Sequence, residues 1–185
     1  MRNALARSGL TQDLFAVAIG TSSSRYATYK TGGTIPSATL YLRALRIADA
    51  LAQGHANGLM SAPDAAKAIG DALDAGDEDW AWRMLLQGRD HLRLVLSEHQ
   101  DAVASWEATP KSTGRTEWDI LLAAITRREF ARSAAPTPEW ANPDPLARPW
   151  IPEHPFLTSD EVIEQTPEFL RNLQIFIPAN DLVTA

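Results

Sequence analysis

Cysteine is absent from the 185 residues. That excludes disulfides and any thiolate metal site. No apolar run approaches the roughly 20 residues needed to span a bilayer. The opening MRNALARSGL lacks the apolar core of a secretory leader. These absences predict a cytoplasmic protein. Signatures of catalysis are equally scarce. Gly32-Gly33 has neither the spacing of a phosphate-cradling loop nor its following Lys-Ser/Thr, and no nucleophile-elbow pattern occurs. The four histidines (His55, His91, His99, His154) are scattered, and His91 and His99 fall about 80° apart around a helix. A metal site would need further ligands at short reach. No catalytic residue, metal or cofactor is therefore expected, and the chain reads as a non-enzyme.

What is present is a folded chain with an uneven charge. Apolar residues make up 45% of the sequence, enough for one or two small domains. The overall charge is -6, which argues against a general nucleic-acid coat. Residues 1–56 nevertheless hold six Lys/Arg against two acids, a net of +4, and the remainder carries -10. A basic N-terminal module is drawn to phosphates, whereas the acidic remainder is repelled by them.

Within the basic part, residues 9–51 have the layout of two short helices meeting at a tight turn. Thr11 is placed to cap a helix through Ile19, Gly20 makes the turn, and Ser22 caps a second helix over residues 23–31. Gly32-Gly33 ends that helix and Pro36-Ser37 begins another. Phe15 and Ile19 lie one turn apart on the first helix, Tyr26 and Tyr29 lie on one side of the second, and Ala16 is small where the two must approach. The other side of the second helix carries Ser23, Ser24, Arg25 and Thr28, a polar face made largely of side chains small enough to enter a major groove. An ordinary helical hairpin with a hydroxyl-rich solvent face would share single elements of this pattern, though not their combination.

The residues Leu10-Thr11-Gln12, Ala16, Gly20-Thr21-Ser22, Tyr26, Tyr29, Gly32, Pro36-Ser37 and Ala50-Leu51 resemble the Cro/phage-repressor (XRE-type) helix-turn-helix family over about 50 residues. The resemblance implies a bundle of four or five helices over residues 1–56, with residues 2–8 as the first and 37–53 as the last. It implies that Gln12 contacts a phosphate, that Ser23, Ser24 and Thr28 face base edges, and that Ser22, Arg25 and Lys30 contact backbone or bases. Double-stranded operator DNA and a second copy of the chain are the partners so implied. Lys30 stands where many members carry an acid, and Tyr26 where many carry a branched aliphatic.

Residues 57–185 are expected to form a helical interaction domain, so the fold class is all-α. Residues 53–61 read as a linker or sharp turn. Pro63 starts a helix to about Leu73. A long amphipathic helix is expected from Asp77 to about Trp106, its apolar positions including Ala81, Met84, Leu85, Leu92, Val95 and Leu96. Residues 116–132 give another, with Trp118, Leu121, Leu122, Ile125 and Phe130 on its apolar side. Seven of the twelve prolines then fall between Ala134 and Pro155. Regular structure is disfavoured there, yet Trp140, Trp150 and Ile151 predict an ordered, extended strap docked on the helices. Thr158 to Glu161 forms a capping box, Pro167 opens a further helix at its first position, and residues 174–177 form a strand or an extended tail.

Trp80 and Trp82 stand two apart on one helix, so they cannot share one core line. One of them is a candidate partner-binding residue. The order Trp118, Pro138-x-Trp140, Pro149-Trp150, Thr166-Pro167-x-Phe169 and Ile175-Phe176-Ile177 resembles actinobacterial regulators of the same helix-turn-helix class. Such regulators are often encoded beside nucleotidyltransferase-like toxins of the AbiEii type. This resemblance implies an autoregulating antitoxin that restrains a toxin through its acidic C-terminal part. A ligand-sensing regulator with a small-molecule pocket among the tryptophans is the alternative, and an adaptor that has lost DNA binding is a third.

Overall fold

Helix caps written into the sequence set the first bundle. The computed structural model describes residues 1–183. Its first helices are α1 (Arg2–Ser8), α2 (Gln12–Ala18), α3 (Ser23–Thr31) and α4 (Ala38–Ala56). Thr11, Ser22 and Ser37 each accept a backbone N–H three residues on, from Leu14, Arg25 and Leu40. Each thereby satisfies one donor that the first helical turn leaves unpaired. Phe15, Ala16, Ile19, Tyr26, Ala44, Ile47 and Leu51 form the core of this bundle.

The rest of the chain builds α5 (Ala62–Asp74), α6 (Glu78–Glu98), α7 (Ala104–Glu107), α8 (Thr116–Arg132), α9 (Ser159–Gln165) and α10 (Glu168–Arg171). There is no β-strand among the described residues, so the fold is all-α. No described helix is long and apolar enough to cross a membrane. A second core gathers Ile69, Leu85, Leu92, Trp106, Trp118, Leu121 and Phe130. Ser61 and Asp64 cap α5 reciprocally, the Ser61 N–H donating to Asp64 Oδ2 at 2.9 Å.

Four boundaries differ from the sequence expectation. Helix α4 continues to Ala56, so the expected linker from residue 53 shrinks to a turn around Gly58. Helix α6 stops at Glu98 rather than near Trp106, because His99 leaves helical geometry (φ -125°, ψ 64°). The stop lets Trp106 fold back into the core, where it is fully buried and its indole N–H donates to the Met60 carbonyl at 2.9 Å. A straight helix would have carried that ring about 12 Å past Glu98. Pro167 is the N-cap of α10 and not its first residue. Residues 174–177 form no strand, only an isolated parallel bridge between Ile175 and Trp150.

The proline-rich segment docks through its tryptophans. The Trp140 indole N–H donates to the Trp106 carbonyl at 3.0 Å. Trp150 stacks parallel to Trp82, ring centres 6.5 Å apart, and lies 5.7 Å from Trp118. Its backbone exchanges hydrogen bonds with Gln174 and Phe176, both 2.9 Å.

The two cores meet along α4, which packs on α1 and on α7. Ala108 belongs to the first core, and the Thr109 N–H donates to the Ala18 carbonyl at 3.1 Å. Arg46 pairs with Glu107 in a two-pronged bridge, Nη1 to Oε1 being 2.7 Å. His55 Nε2 lies 2.9 Å from Asp64 Oδ2.

Candidate nucleic-acid interface

Helix α3 is held by three contacts that leave one face to solvent. Phe15 meets Tyr26 edge to face, centroids 5.6 Å apart and planes at 86°, which fixes the α2–α3 approach. The Tyr26 hydroxyl donates to the Met1 carbonyl at 3.0 Å, tying α3 to the start of α1. Burial pushes the Tyr26 phenol above its ordinary value, so it stays a protonated donor. Arg2 Nε donates to the Lys30 carbonyl at 2.9 Å, closing the C-terminal end of α3.

The turn between α2 and α3 is a Schellman motif. The Thr21 N–H reaches the Ala16 carbonyl and the Gly20 N–H the Val17 carbonyl, both at 2.9 Å. Gly20 sits at φ 80°, a left-handed position that a side chain would strain. Gly32 ends α3 at a left-handed φ of 83°, its N–H donating to the Tyr29 carbonyl.

The solvent face of α3 carries Ser24, Arg25, Thr28 and Thr31, all exposed, while Ser23 is half-buried. Helix α3 contains no acidic residue. The Ser22 hydroxyl caps Arg25 N–H and lies 3.1 Å from the Ser24 hydroxyl. Thr28 donates to the Arg25 carbonyl at 2.8 Å, and Thr31 to the Ala27 carbonyl at 3.1 Å. With their protons turned to the helix, both threonines offer outward only a methyl group and oxygen lone pairs.

Gln12, at the first position of α2, is joined to α3 by Lys30, whose Nζ donates to its side-chain carbonyl. The Gln12 amide hydrogens remain as donors. The structure thus brings Gln12, Lys30 and the α3 face together. It adds two residues that the helix-turn-helix pattern does not single out, Arg2 and Arg43. The Arg43 guanidinium lies beside Gly20, 3.9 Å from where a Cβ would stand.

Charge pairing divides the six cations of the bundle. Arg7 pairs with Asp49 at 3.0 Å and Arg46 with Glu107. Arg2, Arg25, Lys30 and Arg43 meet no carboxylate among the described residues; Arg25 and Lys30 belong to α3, Arg2 reaches its C-terminal end, and Arg43 lies beside Gly20. The excess of positive charge in the sequence is the signal for this group; which cations remain unneutralised depends on contacts with α4 and α7.

The two candidate partner-binding tryptophans part company. Trp82 packs into the ring cluster, 4.9 Å from Trp118. Trp80 is 47% exposed, with the Arg83 guanidinium 5.9 Å above its ring. No protein-family profile matches the chain, and no curated protein and no solved structure matches it.

Proposed function

We propose that this chain is a sequence-specific DNA-binding regulator of transcription acting in the cytoplasm. The observation that carries this reading is an α3 helix without carboxylates, with four cations on it or at its ends that have no acidic partner among the described residues. Phosphates would supply the missing counter-charges. Gln12 and Lys30, already linked, would grip one backbone strand, while Ser24, Arg25 and Thr28 meet base edges. The threonine methyl suits a thymine methyl. Ser22 contributes by holding the helix start. Two copies would place α3 in successive major grooves about 34 Å apart on a near-palindromic site.

The same reading extends to an autoregulating repressor whose acidic C-terminal part restrains a protein partner. The net charge of -10 beyond residue 56 and the exposed Trp80 support a basic partner surface. A nucleotidyltransferase-like toxin is the partner that the sequence resemblance implies. One observation favours a ligand sensor instead, a hollow of about 440 Å³ beside Trp82 lined also by Leu86, Phe156 and Phe176.

Selection from a random DNA pool tests the reading. Enrichment of a two-fold symmetric sequence with half-sites one helical turn apart is expected. A pool that stays random after repeated selection contradicts it.

A further inference from the structure

The C-terminal part is acidic overall, yet one face of α8 is not. Ala124, Arg127, Arg128, Ala131 and Arg132 follow the spacing of a single helical stripe. With Phe169 of α10, and with Asn172 and Leu173 just after it, they line a hollow of about 510 Å³. No carboxylate of the described residues lines this hollow. The two alanines leave room, the three arginines and the amide supply donors, and Phe169 and Leu173 supply an apolar floor.

The key side chain is Arg128. Its guanidinium lies 4.3 Å from the Phe169 ring centre. Contact of a cation with a ring face engages the guanidinium without giving any of its N–H groups a hydrogen-bond acceptor. No hydrogen bond or ion pair to Arg128 or Arg127 occurs among the described residues. The nearest acid in sequence, Glu129, is only 5% exposed and is gripped by Arg93, with Nε to Oε2 at 2.9 Å and Nη2 to Oε1 at 3.0 Å. Arg132 approaches Glu129 more loosely, at 3.3 Å. Burial and the neighbouring charges of Arg132 and Arg93 lower the proton affinity of Arg128, although Glu129 acts the other way. The stacked cation is therefore poorly compensated, and an oxyanion would relieve it.

We propose that this hollow between α8 and α10 binds a small organic oxyanion, its phosphate or carboxylate held by Arg127, Arg128 and Arg132 and its flat or apolar body resting on Phe169 and Leu173. The site is separate from the tryptophan cluster and from α3, and the proposal does not rest on DNA binding.

Calorimetric titration of the full chain with phenyl phosphate and with benzoate tests it, because the two share a ring and differ in head group. Phenol and inorganic phosphate serve as controls at matched ionic strength. At least one of the two ring anions is expected to bind saturably, with a Kd in the millimolar range or tighter for ligands this small, and the tighter of the two identifies the head group. Phenol is expected not to bind. Arg128→Gln and Arg127→Gln are each expected to weaken binding by about tenfold. Arg127 is exposed, so its substitution keeps the test valid if the Arg128 variant misfolds. Absence of saturable binding by both anions, equal binding of phenol, or binding unchanged by the Arg127 substitution would overturn the proposal. So would loss of operator DNA binding in the arginine variants with no small-anion binding in the wild type, which would assign the arginines to DNA phosphates.

Discussion

Lys30, in the last turn of α3, donates its ammonium hydrogen bond to the side-chain carbonyl of Gln12 at the start of α2. The bond ties the two helices at the edge of the exposed α3 face and orients Gln12 as a donor. It ties a neutral group to a cation, so the positive charge survives.

This pairing gives the first prediction. Lys30→Ala should weaken binding to all DNA sequences alike and lower the salt slope of log K by about one. Gln12→Glu should pair well with Lys30 and leave thermal stability unchanged or slightly higher. Its new charge should nevertheless lower DNA affinity by about tenfold or more, through repulsion of phosphate. Anisotropy titrations over a salt series, beside melting curves, separate the two effects.

The buried Phe15–Tyr26 pair should dominate the stability of the first bundle. Tyr26→Phe removes one of the two donors to the Met1 carbonyl, the Leu5 N–H at 3.1 Å being the other, at a cost of about 1 kcal/mol. Phe15→Ala should cost about 3–5 kcal/mol by cavity formation. Urea unfolding measures both, and near-neutral values would place this ring pair outside the core.

The tryptophans should divide in the same assay. Trp150→Ala removes a ring stacked on Trp82 and tilted at 54° against Trp118 and should destabilise by about 3–5 kcal/mol. Trp80→Ala, at an exposed position, should fall within about 0.5 kcal/mol of wild type. Any strong effect of Trp80→Ala should then be seen in capture of a protein partner and not in folding.

Acid should weaken the second core through His91. Its Nδ1 accepts the Met60 N–H at 2.9 Å, which requires the neutral ring. Burial lowers its proton affinity below the ordinary 6.5, and Asp90 only partly offsets this. The unfolded chain therefore takes up a proton that the folded one resists. The stabilising contribution is complete above the unfolded value and is lost as pH falls through the lower, folded one. The unfolding midpoint should drop as pH falls below the ordinary histidine value of 6.5, and His91→Gln should flatten that slope.

Much of the first bundle is legible in the sequence because its signals are local. Thr11, Ser22 and Ser37 each cap a helix by accepting an N–H only three residues on, and Gly20 and Gly32 mark left-handed turns whatever the rest of the chain does. The start and end of α8 and its buried Trp118, Leu121, Leu122, Ile125 and Phe130 follow equally from periodicity. Non-local packing is what escapes. The apolar spacing of α6 runs on through Ala102 and Trp106, whereas the break at His99 brings Trp106 to the Met60 carbonyl, 46 residues back, a contact with no local signature. The docking of the strap tryptophans is foreseeable, but the choice of Trp82 and Trp118 as partners for Trp150 is not. In the interface, the α3 residues were readable from helical phase. Arg43 was not, because its place beside Gly20 depends on how α4 crosses the α2–α3 turn. The arginine stripe of α8 acquires its floor from Phe169, 37 residues after Arg132, and so has no local signature.

DNA reading by the α3 face is the proposal on which the regulatory role depends. The most direct measurement is binding of the chain to the DNA upstream of its own coding sequence, at two salt concentrations, with a Ser24→Ala/Arg25→Ala variant and a scrambled duplex alongside. Tight binding is expected that falls steeply with salt, exceeds that to the scrambled duplex, and is lost in the variant while its melting temperature holds. Equal binding of wild type and variant to that DNA would contradict it.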